Sequence, residues 1–470
     1  MRLQTLPATV LLTAAVLGVT ESVAQQSLRG MTATPANKAG GKYKPFFLPY
    51  SNTSGIPRVD ADYHDSLKAT WEGLKARNID PYDIKLVHRP RSETPNDAVS
   101  EGVGYGLLLA LYSNDQEYFN MQLDNAERYM WNWRNFHDWR INEQGSIQGT
   151  GAATDAEEDI ALACIFAQHL VDKGVWEPHT TPKGASYGKR AQEILDAMWD
   201  VGMIQDGKFL APAAGWGGRD FVNPGYFAPA WYKIFAEFDA NADRHDWKAV
   251  VDQSYESILA NVGSDKGLIP DWMTPAGTFY YQGLGYNAYL DGRGFYKDAI
   301  RTHWRLATDA LWFNDERAKE FLAKAYTFLE GKGGPKEANF FTMEGEPVPM
   351  TDFWDFDNNQ RRRHRFEHSH LTMGMWATTG FVAAGPKESK PYSDELLSFY
   401  EGGDYWGHKI DPAGGTEDIE HNEMYFDQFL AWFGASTISG QEHDKQFNKL
   451  MEILKYAKKY NTCTCRGPAW

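Results

Sequence analysis

Ser100-Glu101-Gly102-Val103-Gly104-Tyr105-Gly106 runs directly into the apolar stretch Leu107-Leu108-Leu109-Ala110-Leu111. One glutamate stands among small residues at the first turn of what reads as a buried helix. A carboxylate there is costly to desolvate and needs a partner or a chemical task. The pattern recurs. Ala153-Thr154-Asp155-Ala156-Glu157-Glu158-Asp159-Ile160-Ala161 opens a second apolar helix, and Phe295-Tyr296-Lys297-Asp298-Ala299-Ile300-Arg301 places a further acid, Asp298, at the start of a third. Carboxylates at helix starts, in a chain with 17 Trp and 24 Tyr, suggest acid/base chemistry on a sugar polymer.

Helical periodicity spreads outward from these starts. From about Asp65 onward the stripes recur. Trp247, Val250, Val251, Ile258, Leu259 and Val262 share one helical face. Similar stripes occupy 98–113, 116–133, 155–171, 187–200, 226–237, 294–311, 316–330, 368–382, 392–401, 423–434 and 444–459. The connections are long and rich in Gly, Pro and Asp, as in Ala211-Pro212-Ala213-Ala214-Gly215-Trp216-Gly217-Gly218. Long connections in a compact domain tend to be functional or to carry short strands. The expected fold is therefore all-α, with about twelve helices and partly β-structured loops. No βαβ alternation and no Gly-rich phosphate loop is present. A double ring of antiparallel helices would accommodate this number, but periodicity alone does not prove closure.

The net charge of −16 disfavours nucleic acid and anionic membranes as partners and is compatible with a neutral polysaccharide. Aromatic residues make up 14% of the chain, enough for sugar stacking as well as core packing. Arg2, the apolar run Ala8–Val19 and Ser22-Val23-Ala24 read as an export signal over residues 1–24, too short to span a bilayer. Residues 25–60 read as a flexible lead-in and 61–470 as the functional domain, secreted or periplasmic and monomeric. Three cysteines make no disulfide framework. Cys164 reads as a small core residue, and Cys463 and Cys465 receive no function.

The quoted motifs resemble glycoside hydrolase family 8, in order, across roughly residues 65–435. Ser-Glu-Gly-x-Gly-Tyr-Gly at 100–106 looks like its general-acid motif, and Ala-Thr-Asp-Ala-x-x-Asp-Ile-Ala at 153–161 like its signature helix. Asn223-Pro224-Gly225-Tyr226-Phe227 resembles its Pro-Ser-Tyr-Phe segment, Pro270-Asp271-Trp272 the next, and Tyr296-Lys297-Asp298-Ala299-Ile300-Arg301 the block carrying the base. The resemblance implies an (α/α)6 barrel and inverting hydrolysis of β-1,4-linked glycans. It further implies Glu101 as acid, Asp298 as base and Asp155 as a third carboxylate that hydrogen-bonds the distorted sugar. Glu157 stands where the family usually has Asp. The Ala-Glu-Glu run is reminiscent of members that release xylose from reducing ends, whereas Asp159 follows the endo-acting pattern. Cellulose or mixed-linkage glucan leads as substrate, with xylan second and chitosan third.

Each residue also has a plainer reading. Glu101 would otherwise be a helix N-terminal carboxylate stabilised by the dipole. Arg301, one turn beyond Asp298, is a candidate site residue at the substrate that could hold Asp298 ionised; otherwise the two would be a surface pair. Asp155 would only cap the helix beginning at Ala156. Tyr296 and Tyr226 are candidates to touch the sugar or the reactive water. Trp139, Trp216, Trp231, Trp272 and Tyr425 are candidate stacking platforms, and each is equally a candidate for the core. Arg361-Arg362-Arg363-His364-Arg365 reads as a loop that salt-bridges locally. His368 and His370 lack the companions of a zinc site, so neither a metal nor another cofactor is expected. A non-catalytic glycan binder would have lost a carboxylate. A lyase or epimerase would favour a Tyr/His or paired-His centre.

Overall fold

Two kinds of helix alternate along the chain. In one kind nearly every residue is buried. Of α2 (Ser100–Tyr112) all but Glu101 is buried, and of α12 (Tyr425–Ile438) all but Phe426. In α8 (Arg301–Phe313) burial is continuous from Arg301 to Trp312. The other kind is amphipathic. α3 (Gln116–Tyr129) buries Phe119, Gln122, Leu123 and Ala126, and α9 (Glu316–Lys332) buries Ala318, Phe321, Leu322, Ala325 and Leu329. A helix apolar on all sides must be enclosed by others, and a striped helix must face solvent on one side.

The computed structural model describes residues 63–90, 94–280, 294–348, 351–355, 360–364, 368–400, 402–407 and 425–439. Residues 1–24 and 25–60, the stripe at 444–459, Arg365, Cys463 and Cys465 lie outside them. The enclosed helices are α2, α4 (Thr154–Asp172), α6 (Pro229–Phe238), α8, α10 (His370–Glu388) and α12. The outer ones are α1 (Tyr63–Leu74), α3, α5 (Tyr187–Asp200), α7 (Trp247–Ala260), α9 and α11 (Lys390–Ser398). Each inner helix packs on the outer helix that follows it, and α12 packs on α1. The inner helices also touch in cyclic order, from α2 through α12 and back to α2. The Trp432 indole N–H donates to the Leu67 carbonyl at 2.9 Å across this closure. The result is an (α/α)6 barrel. Gly374 and Gly434 let α10 and α12 approach closely, for a Cβ on Gly434 would lie 2.3 Å from the Gly374 oxygen.

Leu107, Leu108, Leu109 and Leu111 have no exposed surface. Each contributes about 1.5–3 kcal/mol of transfer free energy to the core. The connections carry short antiparallel strands, including a four-stranded sheet of 88–89, 97–99, 140–141 and 147–149.

Three expectations are corrected. The helix expected over 294–311 starts only at Arg301, because Gly294–Phe295 pairs as a strand with Phe341–Thr342 and a turn intervenes. The helix expected from 226 starts at Pro229, which fits the first helical position and no later one. Gln360–His364 is a strand paired with Thr351–Asp355 rather than a loop. Among the described residues no helix is long and apolar enough to cross a membrane.

Candidate active site

The starts of α2, α4, α8 and α12 meet at one end of the barrel. There a single guanidinium, that of Arg301, joins three carboxylates. Its Nη1 donates to Glu101 Oε2 at 2.8 Å and to Asp155 Oδ2 at 3.0 Å. Its Nη2 donates to Asp298 Oδ1 at 2.6 Å. The Tyr105 hydroxyl accepts from Nη1 at 3.2 Å, and the Tyr425 hydroxyl donates to Glu101 Oε1. The rings of Tyr226 and Phe426 flank the guanidinium, 4.9 and 5.5 Å from its carbon.

Exposure grades this cluster from floor to rim. The side chain of Arg301 is 0% exposed, Asp155 3%, Glu101 20% and Asp298 35%. Glu101 and Asp298 thus open to solvent, while Asp155 is buried. Burial, with Glu101 and Asp159 nearby, pushes the Asp155 carboxyl up to about 7 against the opposing pull of Arg301. Asp155 is more than a cap. The helix already begins at Thr154, and Asp155 accepts from Ala156 N with one oxygen while the other faces Arg301.

The remaining acids of the α4 start have separate partners. Glu157 accepts from the His137 backbone N–H at 2.7 Å, and the His137 ring lies 3.1 Å away. Glu158 accepts from the Tyr232 hydroxyl at 2.9 Å. Asp159 takes two bonds from Arg305, at 2.6 and 2.9 Å, and one from the Trp231 indole at 2.7 Å. Glu157 is fully buried and turned to His137, so the departure from the family pattern at this position does not touch the Arg301 cluster.

The aromatic candidates divide. Trp216 is 45% exposed and meets Trp272 and Phe221 edge-on at 5.5 and 4.9 Å. Trp139 is 38% exposed, and its carbonyl accepts from Ser100 N, which places it beside the start of α2. Trp231 has no exposed surface and serves Asp159, so it is a core residue and not a stacking platform. Tyr425 is buried and engaged with Glu101, and Tyr296 is buried edge-on against Phe340 at 4.6 Å. Sequence reasoning assigned no role to Tyr105, Phe426 or Asp271. Tyr105 lies one helical turn beyond Glu101, a spacing that puts both on one face.

His368 bonds the Ala338 carbonyl and Glu395, while His370 is buried beside Gln428, so the two histidines diverge. Among the described residues, Asp196, Asp239 and His245 gather closely enough to suggest a cation. Asp239, however, already accepts from Gln192, the Asn241 backbone, Trp247 and His245.

Comparisons with known proteins place the family and the fold. A family model described as "Glycosyl hydrolases family 8" matches residues 62–331. Endoglucanase 2 of Ruminiclostridium josui is 36% identical over 64% of this chain and 62% of its own length. Endoglucanase A of Acetivibrio thermocellus is 35% identical over 72% of this chain and 67% of its own. The chain therefore spans about two thirds of the length of these relatives. Among solved structures, a reducing-end-xylose releasing exo-oligoxylanase superposes with a TM-score of 0.61 at 22% identity, over 83% of this chain and 96% of its own.

Proposed function

Because the chain belongs to glycosyl hydrolases family 8, we propose that it is an inverting hydrolase of β-1,4-linked glycans, with cellulose or mixed-linkage β-glucan as substrate. The observation that carries this reading is the Arg301 cluster. Two partly open carboxylates, Glu101 and Asp298, bond to different nitrogens of one buried guanidinium. An inverting enzyme needs an acid and a base on opposite sides of the scissile bond, about 6.5–9.5 Å apart with a water between.

In this mechanism Glu101 delivers a proton to the glycosidic oxygen as the C–O bond breaks. A water attacks the anomeric carbon from the opposite face and gives its proton to Asp298. The product is the α-anomer. Asp155 accepts a hydrogen bond from a hydroxyl of the sugar at the cleavage point, and that bond strengthens as the ring flattens. Arg301 fixes all three. Trp139, Trp216 and Trp272 offer ring faces for the neighbouring sugars. Glucan is favoured by the two endoglucanase relatives, and xylan is the competing substrate within the family. Residues 1–24 support export, which would place the enzyme among extracellular or periplasmic polysaccharides.

Proton NMR during early hydrolysis of cellopentaose tests the reading. The α-anomer should appear first. An initial β product would mean a covalent intermediate and a carboxylate spacing nearer 5 Å, and the assignment of Asp298 as base would fail. Reducing-sugar release from carboxymethyl-cellulose, barley glucan, xylan and chitosan then ranks the substrates. Faster release from xylan than from either glucan would overturn the glucan assignment.

A further inference from the structure

The turn that carries Asp298 has no capping side chain of its own. α8 begins at Arg301, and Ile300 before it offers the backbone nothing. The open N–H groups of this turn are instead met from another segment. Asp271 Oδ1 accepts from Ala299 N at 2.8 Å and from Tyr296 N at 3.3 Å. The Asp271 backbone is itself anchored, its N–H donating to the Gly294 carbonyl at 2.9 Å. On another side lies Gly225, where a Cβ would stand 1.9 Å from the Asp298 carbonyl oxygen. The segments of Gly225 and Asp271 are tied together by the paired backbones of Val222 and Met273.

We infer that Asp271 and Gly225 form a cradle that sets the position of the Asp298 carboxylate. Asp271 is a positioning residue acting through the backbone, and Gly225 is a place where no side chain fits. This rests on the reading of Asp298 as base. The geometry gives a reason for burying a carboxylate next to another. Asp271 is 4% exposed, and burial, then Asp298, raises its pKa well above the ordinary range. A neutral acid accepts the two N–H bonds without repelling Asp298.

Steady-state kinetics on cellopentaose with Asp271→Ala, Gly225→Ala, Asp271→Asn and Asp298→Asn test the inference. A displacement of about 1 Å costs roughly 10²-fold in rate. Asp271→Ala and Gly225→Ala should therefore lose turnover on that order while KM stays within about threefold. The asparagine carbonyl still accepts both N–H bonds, so Asp271→Asn should keep most of the wild-type kcat. Wild-type kcat in both alanine variants, with Asp298→Asn inactive, would sink the cradle alone. So would equal damage from Asp271→Asn and Asp271→Ala, or KM rising in step with the loss of kcat, since either would indicate general support of the fold. An active Asp298→Asn enzyme would remove the base assignment and the cradle with it.

Discussion

Arg301 and Arg305 stand one turn apart on α8, both fully buried, and each faces an aspartate of α4. Arg305 meets Asp159 one to one, in a bidentate pair closed by the Trp231 indole. Arg301 meets Asp155 but also Glu101 and Asp298, so one cation serves three acids. The first arrangement is balanced and enclosed, as a structural ion pair must be to offset its desolvation. The second gathers three acids on one cation, and it opens to solvent at Glu101 and Asp298. An excess of buried acid is a poor way to stabilise a fold and a good way to keep one carboxyl protonated beside another that is ionised.

The contrast is broken most severely at the open end. Glu101→Gln is nearly isosteric but has no proton to give, and general acid catalysis is worth roughly 10²–10⁴-fold. Turnover of cellopentaose should fall by that order while calorimetry still detects oligosaccharide binding. Near-normal kcat would remove Glu101 from the role. At the closed end the loss should be stability instead. Arg305→Met leaves Asp159 buried without its cation, and breaking such a pair costs about 3–5 kcal/mol. Urea unfolding should register this, with kcat per folded molecule close to wild type. A large loss of kcat in a stably folded Arg305→Met protein would mean that the two arginines are not distinct in kind.

Smaller effects sharpen the same line. Asp155→Asn should lower kcat more than it raises KM, because the charge-assisted bond to the sugar strengthens in the transition state. If only about 1 kcal/mol of stability is lost and rates are untouched, Asp155 is a helix-start residue alone. The pH dependence of stability is the finest test. Burial holds the Asp155 carboxyl up at about 7 in the folded chain, above the ordinary range of an aspartate. The folded state therefore holds this proton where the unfolded state has released it. That contribution is fully present below the unfolded value and is lost as pH rises through about 7. Asparagine does not titrate, so the melting temperature of Asp155→Asn minus that of wild type should become more positive between pH 4 and pH 8. A constant difference would mean that the Asp155 carboxyl is not raised.

Much of the site could be read in the sequence because its residues are local to helix starts. Glu101 and Asp155 each stand within two residues of a helix start. Asp298 and Arg301 are within one turn of each other, so their pairing is legible in the spacing. The extension of Arg301 to Glu101 and Asp155 was not, since it spans 200 and 146 residues. Trp231 reads identically to an exposed platform until Asp159 is seen to take its indole N–H. In the sequence Asp271 stands out only as part of the Pro270-Asp271-Trp272 motif, because a cap supplied from another segment leaves no periodic trace.

The sequence by itself determined which stretches carry helical periodicity and the placing of acids at several of their starts. Both follow from spacing along the chain, where 3.6 residues per turn fixes which side chains share a face. Only the tertiary structure decided that α12 returns to α1 and α2, and that one guanidinium gathers three carboxylates. Those outcomes depend on which helix ends meet in space. The desolvation that lifts Asp155 and the geometry that divides Arg301 from Arg305 exist only once the barrel has closed around them.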